Sequence, residues 1–212
     1  MRKKIFAIFK RTIDIIGSII LLILFSPIML VTMVLIKFGS VGPIFFKQKR
    51  VGKGSHEFWM YKFRSMYIGD NDKRLRENYP DLWKKYKESG WKLPMCEDPR
   101  ITPIGKKIRS LTIDEFPQLI NVLKGDMSLV GPRAYREEEL QEQEKRYPKT
   151  KKYIEIIRTA KPGITGVWQT SGRNDITFED RAKMDAEYIK KESFLEEILI
   201  IIKTPMSMLS RW

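Results

Sequence analysis

The sequence predicts an α+β, mostly helical chain held to a membrane at its N-terminus, and three observations carry that prediction. An uncharged apolar run extends from Ile15 to Ile36. Two runs rich in aromatic and β-branched residues flank Val51-Gly52-Lys53-Gly54, the pattern of a small β-hairpin. The rest consists largely of charged or amphipathic stretches at helical spacing, closed by apolar SFLEEILIIIKTPMSMLSRW. With 212 residues the chain suffices for one domain with its own core. It divides into a membrane segment, residues 1–38, and a membrane-associated domain, residues 39–212.

The start, MRKKIFAIFKRTIDIIGSIILL, has the basic-then-apolar order of a signal peptide. The apolar run is too long for one and no small-residue cleavage site follows, so it reads as retained. At about 1.5 Å per residue it would just cross a hydrocarbon core about 30 Å thick. Pro27 removes a backbone donor near its centre and predicts a kink, and the Ser26 hydroxyl is placed to bond a carbonyl freed there. Arg2, Lys3, Lys4, Lys10 and Arg11 precede the run; Lys37, Lys47, Lys49, Arg50 and Lys53 follow it. Positive charge marks the cytoplasmic side, and here both ends carry it. A segment that turns at Ser26-Pro27 and leaves by the face it entered satisfies both flanks; a kinked spanning helix is the alternative.

In the domain, GDNDKRLRENYPDLWKKYKESGWKL reads as an exposed, partly amphipathic helical insertion, and REEELQEQEKRYPKTKK as a charged helix with a solvated face. The C-terminal apolar stretch, interrupted by Pro205, reads as a helix packed on the core or lying in the membrane interface. No internal repeat occurs.

The formal net charge is +14. Such a chain seeks a polyanion, an anionic membrane or phosphorylated ligands. Zinc spacing, basic heptads and RNP-like aromatics are absent, which argues against nucleic acid; next to a membrane segment the simpler partners are anionic headgroups. Cys96 and His56 are each the sole residue of their type, so neither a disulfide framework nor a cysteine metal site is expected.

The chemistry concentrates in KKIRSLTIDEFPQLINVLKGDMSLVGPR. Pro117 suits a first helical turn, Gly125 a stop, and Leu119, Ile120 and Leu123 one apolar face. Asp114 and Glu115 then fall at the helix start, where dipole and free N–H groups stabilise anions. Read alone, the pair is an ordinary helix cap. Its surroundings are not ordinary. Arg109 precedes it, Arg133 follows in Gly131-Pro132-Arg133, and Lys62 and Arg64 lie in YKFRSM. Downstream, KPGITGVWQTSGR supplies Gly163 and Gly166 for close backbone approach, with Thr165, Gln169 and Arg173. Carboxylates among cations and glycine turns suit a divalent ion with a diphosphate, since Mg²⁺ takes one or two carboxylates together with ligand phosphates.

Ser26-Pro27, KFRSM, the long stretch from DPRITPIG to SLVGPR and KPGITGVWQTSGR together resemble the monotopic phosphoglycosyl transferases, bacterial sugar transferases that begin glycan assembly on a polyprenol phosphate. The resemblance covers nearly the whole chain, in order. It implies a re-entrant membrane helix broken at Ser-Pro, with interfacial amphipathic helices and the catalytic domain on the cytoplasmic face of the inner membrane. It implies transfer of a sugar-1-phosphate from a UDP-sugar to undecaprenyl phosphate, releasing UMP, for capsule, exopolysaccharide or O-antigen type glycans. Asp114 would be the nucleophile and a ligand of Mg²⁺, and Glu115 would assist metal or proton handling. Lys62, Arg64, Arg109 and Arg133 would be phosphate contacts, Thr165 and Gln169 donor-binding groups, and Arg173 a further substrate-binding residue. Membrane lipids are the remaining partner, and oligomeric state is open. Two positions depart from the family pattern: Phe116 replaces a common Leu, and Ala134 a common Pro whose loss would loosen the turn presenting Arg133. The WQTSGR ending resembles hexose-1-phosphate transferases that often carry a multi-span N-terminal region, so this chain is expected to be the catalytic core alone. The rival reading is a non-catalytic, membrane-anchored protein whose basic face binds lipids or a partner.

Overall fold

The computed structural model describes residues 2–89, 91, 93–171, 176–191 and 193–209. The first element, α1 (Arg2–Gly39), contains Pro27 and runs through it without a break in the helical backbone. Proline has no N–H to give the carbonyl four residues back, that of Ile23. The Ser26 hydroxyl donates to this same oxygen at 2.8 Å, as the sequence suggested, so the gap in the backbone ladder is filled by a side chain. Ile16, Ile20, Ile23, Leu24, Leu30 and Val31 stand exposed along α1, and the helix is long and apolar enough to cross a membrane.

Both ends of α1 are gripped by the same domain. Near its start, Lys10 Nζ donates to the Val130 carbonyl at 2.8 Å and pairs with Glu197 at 2.6 Å. Arg11 donates to the carbonyls of Val122 and Leu123. Asp14 accepts from the Ser128 hydroxyl and the Leu129 N–H. At the other end, Arg64 Nη2 donates to the carbonyls of Ile36 and Ser40 and its Nη1 to that of Val41. Between the two, the Phe25 ring stacks on Phe116, centroids 4.4 Å apart.

The expected hairpin forms. β1 (Phe45–Val51) and β2 (Glu57–Phe63) pair antiparallel around a 3₁₀ turn at Lys53–Ser55, where Gly54 takes φ 70°. Phe46 faces Lys62, Gln48 faces Met60 and Arg50 faces Phe58. Alternation puts these six on one face, which sinks Phe58 and Met60 into the core and leaves Lys62 near its rim.

The polar insertion is two helices, α2 (Asn71–Asn78), capped by Asp70, and α3 (Pro80–Glu88). It is less exposed than its composition suggests. Leu75 and Tyr86 are buried, and the rings of Trp83, Tyr86 and Trp91 pack on one another. Next come α4 (Pro103–Ser110), α5 (Gln118–Lys124) and the short strand β3 (Ser128–Val130). A crossover through α6 (Glu137–Arg146) and α7 (Lys151–Ile157) returns to β4 (Gly163–Thr165), parallel to β3. Close pairing here requires small residues: a Cβ on Gly163 would collide with the backbone of Gly131. The solvated reading of α6 fails at Glu139 and Gln143, both buried, because Glu139 turns inward to Arg50, 3.7 Å away.

Last are α8 (Phe178–Lys191) and α9 (Phe194–Leu209). Pro205 does not interrupt α9, whose helical backbone runs on to Leu209. Ile200 and Glu197 face the domain, while Leu195, Leu199, Ile202 and Met206 form an exposed apolar stripe. The largest core cluster joins Phe58 and Met60 to Leu119, Val122, Met127 and Val130, with Leu21 and Leu22 of α1 packed against it. The N-terminal helix is therefore part of the domain's own packing.

Candidate active site

The acidic pair does not open α5, where Pro117 and Gly125 put it. It occupies a separate 3₁₀ turn, Ile113–Glu115, and Pro117 is the N-cap of α5 without a side-chain cap. Asp114 is thus no helix cap. Thr112 opens this turn in the left-handed region, φ 57°, an unfavourable conformation for a β-branched residue. At the far end Gly125, φ 90°, closes α5 as expected.

The buried face of α5 is Gln118, Leu119, Asn121 and Val122; Ile120 is exposed, not inward. The reason is Asn121. Its Oδ1 accepts the Tyr61 N–H at 2.9 Å and its Nδ2 donates to the Trp59 carbonyl at 2.8 Å. This amide clamps α5 along β2, which helps bring the acidic turn beside Lys62.

Lys62 Nζ then lies 2.6 Å from Glu115 Oε1, both partly exposed. Burial alone would push the Glu115 carboxyl up, but Lys62, through its charge and hydrogen bond, with Arg133 and Arg109, holds it below the ordinary value. Asp114 is buried, 8 % exposed. Its carboxyl is raised to about 6, chiefly by burial and further by the Glu115 charge, against the pull of Lys62 and Arg109. One carboxylate is held ionised beside another that titrates near neutrality, an arrangement associated with reactive sites.

Of the residues named from sequence, Lys62, Arg109 and Arg133 act on this pair. Arg64 does not join them: its guanidinium is buried and holds the end of α1. The Thr165 hydroxyl pairs with that of Thr204 on α9, 2.9 Å away. Gln169 Nε2 donates to the Ile164 carbonyl at 3.1 Å. Arg173 lies outside the described residues.

Ala134 does not leave its turn loose. The Pro132 carbonyl accepts the Gly163 N–H at 2.8 Å, the Ala134 carbonyl accepts from Arg50 Nη1 at 3.1 Å, and the Arg133 N–H donates to Asp185 Oδ2 at 3.3 Å. Asp185 is fully buried, and burial raises its carboxyl to about 8 against the Arg133 N–H and the charges of Arg133 and Arg181. Sequence reasoning missed Asp185 and Arg50. The first was legible as an acid on the buried face of α8 with Ala182 and Ala186; the second was a cation on the inward face of a strand.

Among the described residues no cluster of three or more His, Cys, Asp or Glu forms. Asp114 and Glu115 offer adjacent hard carboxylate oxygens and no soft donor. That set fits a hard divalent cation whose other ligands come from phosphate oxygens and water.

A family model described as bacterial sugar transferase matches residues 5–211. The chain is 37% identical over 203 residues to the exopolysaccharide production protein ExoY of Sinorhizobium fredii, covering 95% of this chain and 86% of that protein. It is 34% identical over 206 residues to a UDP-glucose:undecaprenyl-phosphate glucose-1-phosphate transferase of Caulobacter vibrioides, covering 95% and 70%. It is 41% identical over 204 residues to an undecaprenyl-phosphate galactose phosphotransferase of Salmonella typhimurium, where it spans 95% of its own length and 40% of the relative's.

Proposed function

Because the chain belongs to the bacterial sugar transferase family, we propose that it moves a sugar-1-phosphate from a UDP-sugar to undecaprenyl phosphate and releases UMP. The observation that carries this reading is the buried Asp114 carboxyl beside Glu115, which Lys62 holds ionised, with Arg109 and Arg133 acting on the same turn. It is supported by the similarity to proteins named as undecaprenyl-phosphate sugar phosphotransferases.

An Asp114 oxygen attacks the β-phosphorus of the donor. The bond from that phosphorus to the bridging oxygen breaks, UMP leaves, and an acyl phosphate carries the sugar phosphate. A phosphate oxygen of undecaprenyl phosphate then attacks the same phosphorus, the bond to Asp114 breaks, and the carboxylate returns. Lys62, Arg109 and Arg133 neutralise the phosphoryl oxygens. Asp114, with Glu115 beside it, would hold Mg²⁺, which supplies charge neutralisation on the diphosphate. Glu115 also keeps Lys62 at the site.

Residues 1–38 are the membrane segment and residues 39–212 the catalytic domain. A straight spanning helix would separate its ends by the bilayer thickness, beyond the reach of one domain in water. Both ends of α1 bind this domain, through Lys10, Arg11 and Asp14 at one end and Arg64 at the other, which favours a re-entrant α1 bent near Ser26-Pro27. The basic flanks favour the cytoplasmic face, and the exposed stripe of α9 suits the lipid interface.

The test is incubation of purified protein with UDP-sugars and Mg²⁺ without acceptor, followed by intact mass and peptide mapping. UMP release with a sugar-phosphate mass on Asp114, lost in Asp114→Asn, is expected. Full turnover by Asp114→Asn, or an adduct elsewhere, overturns the assignment.

A further inference from the structure

We propose that Gln48 is a further substrate-binding residue, whose side-chain N–H₂ donates to a phosphoryl oxygen held at the Asp114–Glu115 site; this rests on the transferase reading above. The inward face of the hairpin is a double row: Phe46 opposite Lys62, Gln48 opposite Met60, Arg50 opposite Phe58. Gln48 is therefore the diagonal neighbour of Lys62, a separation of about 7 Å between backbones that a long side chain spans. Lys62 binds Glu115 at 2.6 Å. On the other side, Arg50 reaches the turn of Arg133 through the Ala134 carbonyl, at 3.1 Å. Arg133 in turn acts by charge on Glu115. Gln48 thus stands on the hairpin face between Lys62, which meets Glu115, and Arg50, which meets the turn of Arg133, and is the uncharged residue of the three.

The orientation of its amide is set by Arg50. Arg50 Nη2 donates to Gln48 Oε1 at 2.6 Å. Arg50 is itself held by the Ala134 carbonyl and by Glu139 at 3.7 Å. Its guanidinium can only donate, so it selects the amide oxygen and turns the NH₂ away. Gln48 is half-buried, and its Nε2 has no protein acceptor among the described residues. A mostly buried arginine with well-fixed partners is an expensive way to orient a half-buried glutamine. It is a reasonable one if the NH₂ must stay aimed at a ligand. The ligand chemistry that suits a fixed neutral donor among Lys62 and Arg133 is an anionic phosphoryl oxygen. Two sources exist: the donor diphosphate and the acceptor phosphate.

The experiment uses the full chain in nanodiscs and compares wild type, Gln48→Ala and Gln48→Met. UMP release without acceptor reads the donor, and complete turnover at saturating donor reads the acceptor. Gln48→Met keeps the length and packing of the side chain but not the donor. Both variants should raise KM for one of the two substrates about tenfold, the worth of one hydrogen bond to a charged oxygen. They should leave the thermal midpoint near that of wild type. A raised donor KM assigns the contact to the diphosphate, and a raised acceptor KM to the lipid phosphate. Unchanged KM values in both variants, or full rescue by Gln48→Met, overturn the proposal. Absence of UMP release from wild type would instead overturn the transferase reading on which it rests.

Discussion

Lys62 Nζ stands 2.6 Å from Glu115 Oε1, and this pair sets the charge of the acidic turn. Lys62 also lowers the Asp114 carboxyl, which burial still leaves raised, at about 6. Lys62→Met should therefore raise both carboxyl groups and move the acid limb of the pH–rate profile upward. The loss of UMP release should be tenfold or more at pH 7 and smaller at pH 9. A profile that drops equally at every pH would mean that Lys62 acts on substrate alone.

Arg64 should behave as a structural residue. Its guanidinium is buried against the carbonyls of Ile36, Ser40 and Val41. Arg64→Leu leaves those acceptors unpaired at the end of α1, a cost of about 2–4 kcal/mol. Thermal unfolding in detergent should show the loss, while the KM for UDP-sugar in the protein that remains folded should stay within about twofold. A large KM increase without destabilisation would return Arg64 to the phosphate-binding set.

Asp185 predicts a pH dependence of stability. Its folded carboxyl is raised to about 8, against 3.8 for the unfolded value. A raised carboxyl favours the folded state fully below the unfolded value, and that contribution is lost as pH rises to the folded one. Between about pH 4 and pH 8 it should cost up to about 1.4 kcal/mol per pH unit. Asp185→Asn keeps an acceptor for the Arg133 N–H and removes the titration, so the stability of the variant should fall less steeply across that window. Parallel denaturation curves for the two proteins from pH 5 to pH 8 would refute this.

The course of α1 is open to labelling. With Cys96 replaced by serine, single cysteines at Lys4 and Gly39 should both react only from the cytoplasmic side in intact cells. Replacing Ser26 and Pro27 with leucine restores the donor to the Ile23 carbonyl and should favour a straight, continuous helix. It should produce a mixed population, since the basic flanks resist translocation. Periplasmic labelling of either end in the wild type would exclude the re-entrant course.

The sequence by itself determined the apolar run, the hairpin around Val51-Gly52-Lys53-Gly54, the stop at Gly125 and the chemistry of Asp114 and Glu115 with their cations. These are local properties: hydropathy, turn preference and residue type within a few positions. The Ser26 hydroxyl on the Ile23 carbonyl was legible too, because a proline's missing bond lies one helical turn away. Only the tertiary structure decided which cations serve the site. Lys62 and Arg64 are two residues apart in one motif, yet one meets Glu115 and the other closes α1, because Phe63 ends β2 and the chain leaves the strand between them. It also decided that Ile120 faces outward, that α9 continues past Pro205 and that Asp185 and Arg50 pin the turn of Arg133. The last depends on partners 52 and 84 residues away in the chain, Arg133 to Asp185 and Arg50 to Ala134. No local pattern encodes which buried polar group will find which partner; packing selects the pair whose hydrogen bonds offset its removal from water.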